Sequence, residues 1–365
     1  MSLFSGTRTW LTAAGAAAGL LALAVPAAAS GAQPAAGPAW RVVKTVKTDD
    51  SGQFTALAVT GKTTAWAFDG LGFTSRATAW RENGSTWTKT TFPSLSGEEV
   101  VAAGAAAPKN VWAFTRNLSG ASRVLRWNGS AWSAVKTFPH AIAGATVVSG
   151  HDVWVYGQAA VPGEPALGTW FYNGTKWTRV SPSFQGGSAL SDKNVWAFSG
   201  TSLEHWTGAR WVATPVKSLL PARNPRGLND PAVTGVLALS AGNVYAFGNG
   251  DAEDEGGPLV VLHYNGSAWS KVASGQFGSG PEPQVSSDGK GGLWLPMDGG
   301  AGGTSCLVHY ANGKLARAAL PVSAPAITVG AVARVPGTAQ QLAGGFTHAA
   351  GNRGLKVAAV LLRYS

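Results

Sequence analysis

The chain has 365 residues, of which 45% are hydrophobic and 13% charged, with a formal net charge of +10. Its single cysteine, Cys306, excludes an internal disulfide framework, and the length suffices for a large hydrophobic core. No block of consecutive Lys or Arg argues for nucleic acid, so the positive balance reads as a mild bias compatible with anionic wall polymers.

From the N-terminus, Arg8, the apolar run "WLTAAGAAAGLLALAV" and Ala27-Ala28-Ala29 before Ser30 form the pattern of a processing signal. Residues 1–29 are expected to be a signal peptide, 30–38 a short flexible linker and 39–365 one domain. The apolar run is too short, and too rich in Ala and Gly, for a membrane span. The mature protein is therefore expected to be secreted, with no membrane attachment once the signal is removed.

One phrase then recurs: "TAWAFDG" at 64, "NVWAFTR" at 110, "DVWVYGQ" at 152, "NVWAFSG" at 194, "NVYAFGN" at 243 and "GLWLPMD" at 292. Its aromatic column is Trp66, Trp112, Trp154, Trp196, Tyr245 and Trp294, with steps of 46, 42, 42, 49 and 49 residues. After most copies comes a hairpin such as "VLRWNGSAWSAV", whose last aromatic forms a second column: Trp87, Trp132, Trp177, Trp211 and Trp269. Asn-Gly between the two apolar runs predicts a type I′ turn, with both central residues at φ > 0. Each unit thus holds four short strands, and four antiparallel strands repeating at this period predict a β-propeller blade.

The last copy begins at "AITVGAVARV" and stops at "VLLRYS", one strand short. The missing strand is at the other end, where "PAWRVVKTV" (38–46) matches "SAWSAVKTF" (130–138). The expected fold is all-β: a seven-bladed propeller of four-stranded blades, its ring closed by the N-terminal strand pairing into the C-terminal blade.

The phrases "NVWAFSG…LEHWTGARWVATP" and "NVYAFG…VLHYNGSAWSKV" resemble an exported actinobacterial repeat, "DVWAVG…HWNGxxW". Proteins carrying that repeat are similar in architecture to kelch and galactose-oxidase propellers. The resemblance implies the architecture and leaves the activity open, because a fold does not specify a function. Copper-radical oxidation is not expected, since every Tyr falls in a repeat column and Cys306 begins an ordinary third strand. The Trp columns read as blade packing rather than a sugar platform. His205, His263 and His309 fill one column in three successive blades, too far apart to share a metal ion.

Binding is then expected on the face that carries the variable loops. The longest insert supplies Arg223, Arg226, Asn229 and Asp230 as candidate ligand-binding residues. The next loop supplies Asp251, Glu253, Asp254 and Glu255, which read either as a calcium site or as a solvated acidic loop. No other cofactor is expected. The expected protein is a monomeric, non-enzymatic propeller that recognises an extracellular glycan, wall polymer or protein. The alternative is a hydrolase or lyase at the mouth of the central channel, using carboxylates such as Glu98 and Glu99 or Asp49 and Asp50. The opposite face, made of tight turns, is expected to carry little chemistry.

Overall fold

The computed structural model describes residues 37–365 apart from 51, 70–75, 118–120, 158, 160–164, 181, 224–229, 251–257, 279, 282, 299–304, 322–325 and 350–351. The expected signal peptide lies outside the described residues. Seven antiparallel sheets follow one another along the chain, each a meander of four strands from the channel outward, with one exception in blade six. Blade two is representative: Glu98–Ala107 is innermost, then Asn110–Asn117, Ser122–Trp127 and Trp132–Phe138. Blade seven joins three C-terminal strands, Ile327–Arg334, Gln341–Ala349 and Asn352–Tyr364, to the N-terminal strand Trp40–Asp50. That strand runs antiparallel to the last one, with Trp40 opposite Tyr364 and Val42 opposite Leu362. The ring is closed by hydrogen bonds between the chain's two ends, which leaves no edge strand exposed at the seam.

The aromatic columns pack blade against blade. The second-strand aromatic of one blade meets the third- and fourth-strand aromatics of the next. Trp66 lies 4.9 Å from Trp127 and edge-on at 5.0 Å to Trp132. Trp196 repeats this with Tyr264 and Trp269, and Trp294 with Tyr364 and Trp40. Aromatic pairs of this kind add about 0.5–1.5 kcal/mol each beyond the area they bury. Within its own blade, the same aromatic is covered by a flat cation or imidazole from the third strand. His205 stacks on Trp196 at 4.2 Å, His309 on Trp294 at 4.1 Å, and the Arg126 guanidinium lies 4.9 Å from the Trp112 ring. The three histidines also bond locally, His205 to Asn194, His263 to Asn243 and His309 to Asp288. Burial lowers His205 and His263 below the ordinary histidine pKa, so both serve as neutral packing groups.

The Asn-Gly turns differ from the expected type. Trp127 pairs with Trp132, so the connection in blade two is four residues, Asn128 to Ala131, and Asn128 keeps φ < 0. Its side chain organises the loop instead: Asn128 Oδ1 accepts from the N–H of Ser130 at 2.9 Å, the Ser130 hydroxyl at 2.9 Å and the N–H of Ala131 at 3.0 Å. Asn173 and Asn265 do the same in blades three and five. Only Asn312-Gly313, between the paired Ala311 and Lys314, places both central residues at positive φ. The Asn is therefore selected as an acceptor that satisfies loop donors, and the following Ser or Thr as a donor to it.

Cys306 is buried in the third strand of blade six, its thiol 3.6 Å from the carbonyl of Phe277. Burial pushes the thiol above its ordinary range, against a smaller opposite pull from Arg317. Alkylation in native buffer should run on the order of 10³-fold slower than in denaturant. Comparable rates by mass spectrometry would show that blade six opens readily.

Candidate functional site

In every blade the connections from strand two to three and from strand four to the next blade share one end of the ring, and the remaining turns share the other. At the loop-rich end, the first halves of the inner strands of blades two to five line a cavity of ≈ 330 Å³ in the channel. Its walls are uncharged and mostly small, as in Ala102, Gly144 and Gly186, with Phe198 and Leu237 as the largest apolar groups and Thr146, Gln185, Ser188, Thr234 and Gln284 as the polar ones.

Blade six bounds this cavity. Its inner strand is interrupted: Gly280–Pro281 and Ser286–Ser287 both pair with Leu293–Asp298, and the chain between them crosses toward blades seven and one. The Gln284 carboxamide accepts from Leu57 N at 2.8 Å and donates to Leu57 O at 2.7 Å. Gln284 O accepts from Val332 N at 3.0 Å. One residue thus ties three blades together across the channel. No motif in the sequence pointed to it, because blade six lacks the regular small-residue run of the other inner strands.

Two of the four carboxylates expected for hydrolysis, Glu98 and Glu99, are already engaged, and the side chains of Asp49 and Asp50 lie outside the described residues. Glu98 is buried and receives Arg123 Nε at 2.7 Å, the Leu95 N–H at 2.7 Å and the Thr115 hydroxyl at 3.2 Å. Glu99 receives Arg116 Nε at 2.8 Å. Glu98 and Arg123 fasten the 4→1 connection, with Arg123 also donating to the Pro93 carbonyl at 2.6 Å. These are structural ion pairs at the base of the loop-rich face.

Of the expected ligand residues, Arg223 and Asp230 come together as an exposed ion pair at 3.0 Å that pinches the long insert. Val216 and Leu220 at its base are buried, and Val216 N donates to Thr201 O at 2.9 Å. Arg226 and Asn229 lie outside the described residues, as do Asp251, Glu253, Asp254 and Glu255 of the acidic loop. Beside this base, between blades four and five, a groove of ≈ 470 Å³ is lined by Trp196, Tyr264 and Trp269 together with Val212 and Leu219. Of the second aromatic column, Trp87 and Trp132 are buried, while Trp177, Trp211 and Trp269 are partly open to solvent.

The fold places the chain in the class of seven-bladed β-propellers. No family model matches the chain, and no curated protein matches it by sequence. Among solved structures it is similar to YCF48 bound to D1 peptide, with a TM-score of 0.57 and 12% identity over 89% of this chain and 96% of that one. YCF48 from Cyanidioschyzon merolae gives 0.56 at 12% identity, covering 89% and 98%. A protein from Lactobacillus plantarum gives 0.51 at 12% identity, covering 73% and 84%. At such identities the likeness is one of fold.

Proposed function

We propose that this chain is an exported, non-enzymatic binding propeller that holds an extended segment of a partner protein at the loop-rich mouth of its channel. The observation that carries this reading is the cavity of ≈ 330 Å³, walled by uncharged, mostly small residues with a few hydroxyl and amide groups. Such a lining suits an apolar or uncharged side chain flanked by peptide groups, and offers neither a charge nor an open aromatic platform. The engagement of Glu98 and Glu99 in ion pairs supports binding over hydrolysis. The fold shared with a propeller solved with a peptide bound supports the same choice. Export rests on the pattern of the first thirty residues and on the resemblance to exported actinobacterial propellers; the protein is proposed to act as a monomer.

A glycan is the second reading, favoured by the aromatic groove between blades four and five, where Trp269 and Tyr264 are partly exposed. Selection of short displayed peptides on the immobilised protein distinguishes the two. Enriched peptides should lose about tenfold or more in affinity when Ala143→Trp fills the channel mouth, the equivalent of one good contact. They should be indifferent to Trp269→Ala. Peptides that bind the filled variant unchanged would exclude the channel as the site.

A further inference from the structure

The face made of tight turns carries a ring of cations that have no ionic partners among the described residues. The turns between inner and second strands present Lys62, Lys109, Lys193, Lys290 and Arg334, and those between third and outer strands add Lys176, Arg210 and Lys314. All eight are exposed, and among the described residues none joins an ion pair. The acids in the same turns offset them only in part, since Glu82 is taken up by Arg363, while Asp152, Asp192 and Asp288 stand against eight cations. Glu82 is buried against Arg363, Asp288 is buried against His309 and the N–H groups of Lys290 and Gly292, and Asp152 accepts from the indole of Trp154. Asp192 alone is exposed.

Several of these cations are held in place. In blades two and four the lysine stem lies across the glycine of the neighbouring turn. A Cβ on Gly129, at φ +105°, would meet Lys109 side-chain carbons at 3.1 Å, and one on Gly208, at φ +86°, would meet Lys193 Cγ at 2.9 Å. His151 lies over Gly174 in the same manner. Blade five has Gly242 in place of a cation. Beside it the face opens into a cleft of ≈ 510 Å³ lined by Asn243, Gly289, Gly291 and Arg334.

We infer that this face is a second binding surface, for a linear polyanion whose charges are phosphodiesters. Adjacent sheets pack about 10 Å apart, so a cation recurs around the ring at intervals that flexible lysine stems can bridge to successive charges of an extended chain. Lysine predominates, and its ammonium meets a phosphate as a mobile point charge, without the fixed bidentate geometry that arginine brings to carboxylate and phosphate alike. A membrane surface fits less well. The large apolar residues exposed among the described residues, Val42, Val43, Leu95, Val135 and Val212, lie on outer strands or at the other face, so none of them inserts among lipids from this face. Trp127 and Trp132 beside these turns are buried while Trp177, Trp211 and Trp269 are partly open, so a single-stranded nucleic acid is the competing occupant that the test below decides.

The test is a salt series with poly(glycerol phosphate) as probe. Neutralising four lysines, as Lys62→Gln, Lys109→Gln, Lys193→Gln and Lys290→Gln together, should lower the slope of log K against log salt by about 0.7 per lysine. For four contacts, that slope is a fall of about fifty-fold in affinity between 50 and 200 mM salt, which the variant should no longer show. The matching Lys→Arg set should retain it, and Ala143→Trp at the other face should leave it unchanged. An unaltered slope in the glutamine set would overturn the inference. So would tighter binding to phosphatidylglycerol vesicles, which would assign the face to a membrane, or to a single-stranded oligonucleotide of equal charge.

Discussion

Replacing Trp40 by alanine should destabilise the whole propeller by about 3–5 kcal/mol, the usual cost of truncating a buried Trp. Trp40 is 5% exposed and seals the seam: its ring stands edge-on to Trp294 at 5.3 Å and leans on Tyr364 at 5.4 Å. Loss of the side chain opens a void among Leu307, Ile327 and Val360, which pack around it. The effect reaches beyond the void because the strand it anchors is what joins the chain's ends. A ring couples every blade to two neighbours, whereas an open array can unravel from its ends. Urea unfolding of Trp40→Ala should therefore show both an earlier midpoint and a shallower transition than Trp132→Ala, the equivalent change inside blade two. Equal transitions for the two variants would mean that the seam has no special role. Removing 38–50 altogether should expose the strand Asn352–Tyr364 as an edge and drive self-association, visible by light scattering.

The architecture was legible because it repeats. In six of the seven blades one aromatic, Trp or in blade five Tyr245, marks the second strand at intervals of 42 to 49 residues, and a lone "PAWRVV" marks the seam. What was not legible lies in register and in topology. In "WNGSAW" the two tryptophans pair, so four residues bridge them and Asn128 turns the chain with its side chain; in "YANGKL" the pairing of Ala311 with Lys314 leaves two residues and the turn expected from Asn-Gly. The dipeptide alone does not separate these cases, but the position of the flanking pair does. The cationic face is hidden for a different reason. Its lysines are a blade apart in the chain and form no run, and only folding the turns to one side gathers them. Gln284 lies where the repeat is most degraded, so periodicity has nothing to say about its crossing to Leu57. Of the expected site, the long insert contributes one exposed ion pair, Arg223 with Asp230, while the channel wall is built mostly from residues chosen for being small.

The second large effect is expected at the buried pair that locks blade seven to blade one. Arg363 Nη2 lies 2.7 Å from both oxygens of Glu82, and its Nη1 donates to the Lys62 carbonyl. Both side chains are largely withdrawn from solvent, at 15% and 6% exposure. Burial raises the Glu82 carboxyl above its ordinary value of 4.5 in spite of the opposing pull of Arg363, so desolvation costs more than the pair returns. Arg363→Met should then cost about 3–5 kcal/mol at neutral pH, because it leaves a carboxylate buried without a counter-charge. With the cation gone the folded-state pKa rises further, and the folded protein binds a proton that the unfolded chain has released. The destabilisation is therefore complete above that raised pKa and fades as pH falls toward 4.5, where Glu82 is neutral in both states. Replacing both residues, Glu82→Met with Arg363→Met, removes the charge and should restore stability to within about 1 kcal/mol of the parent at every pH. Urea midpoints across the pH range for the single and double variants decide it. If the single variant is as unstable in acid as at neutral pH, or the double variant no better than the single, the loss comes from the guanidinium's bond to Lys62 and its packing. In that case the seam is held by shape, and the ion pair adds only direction to it.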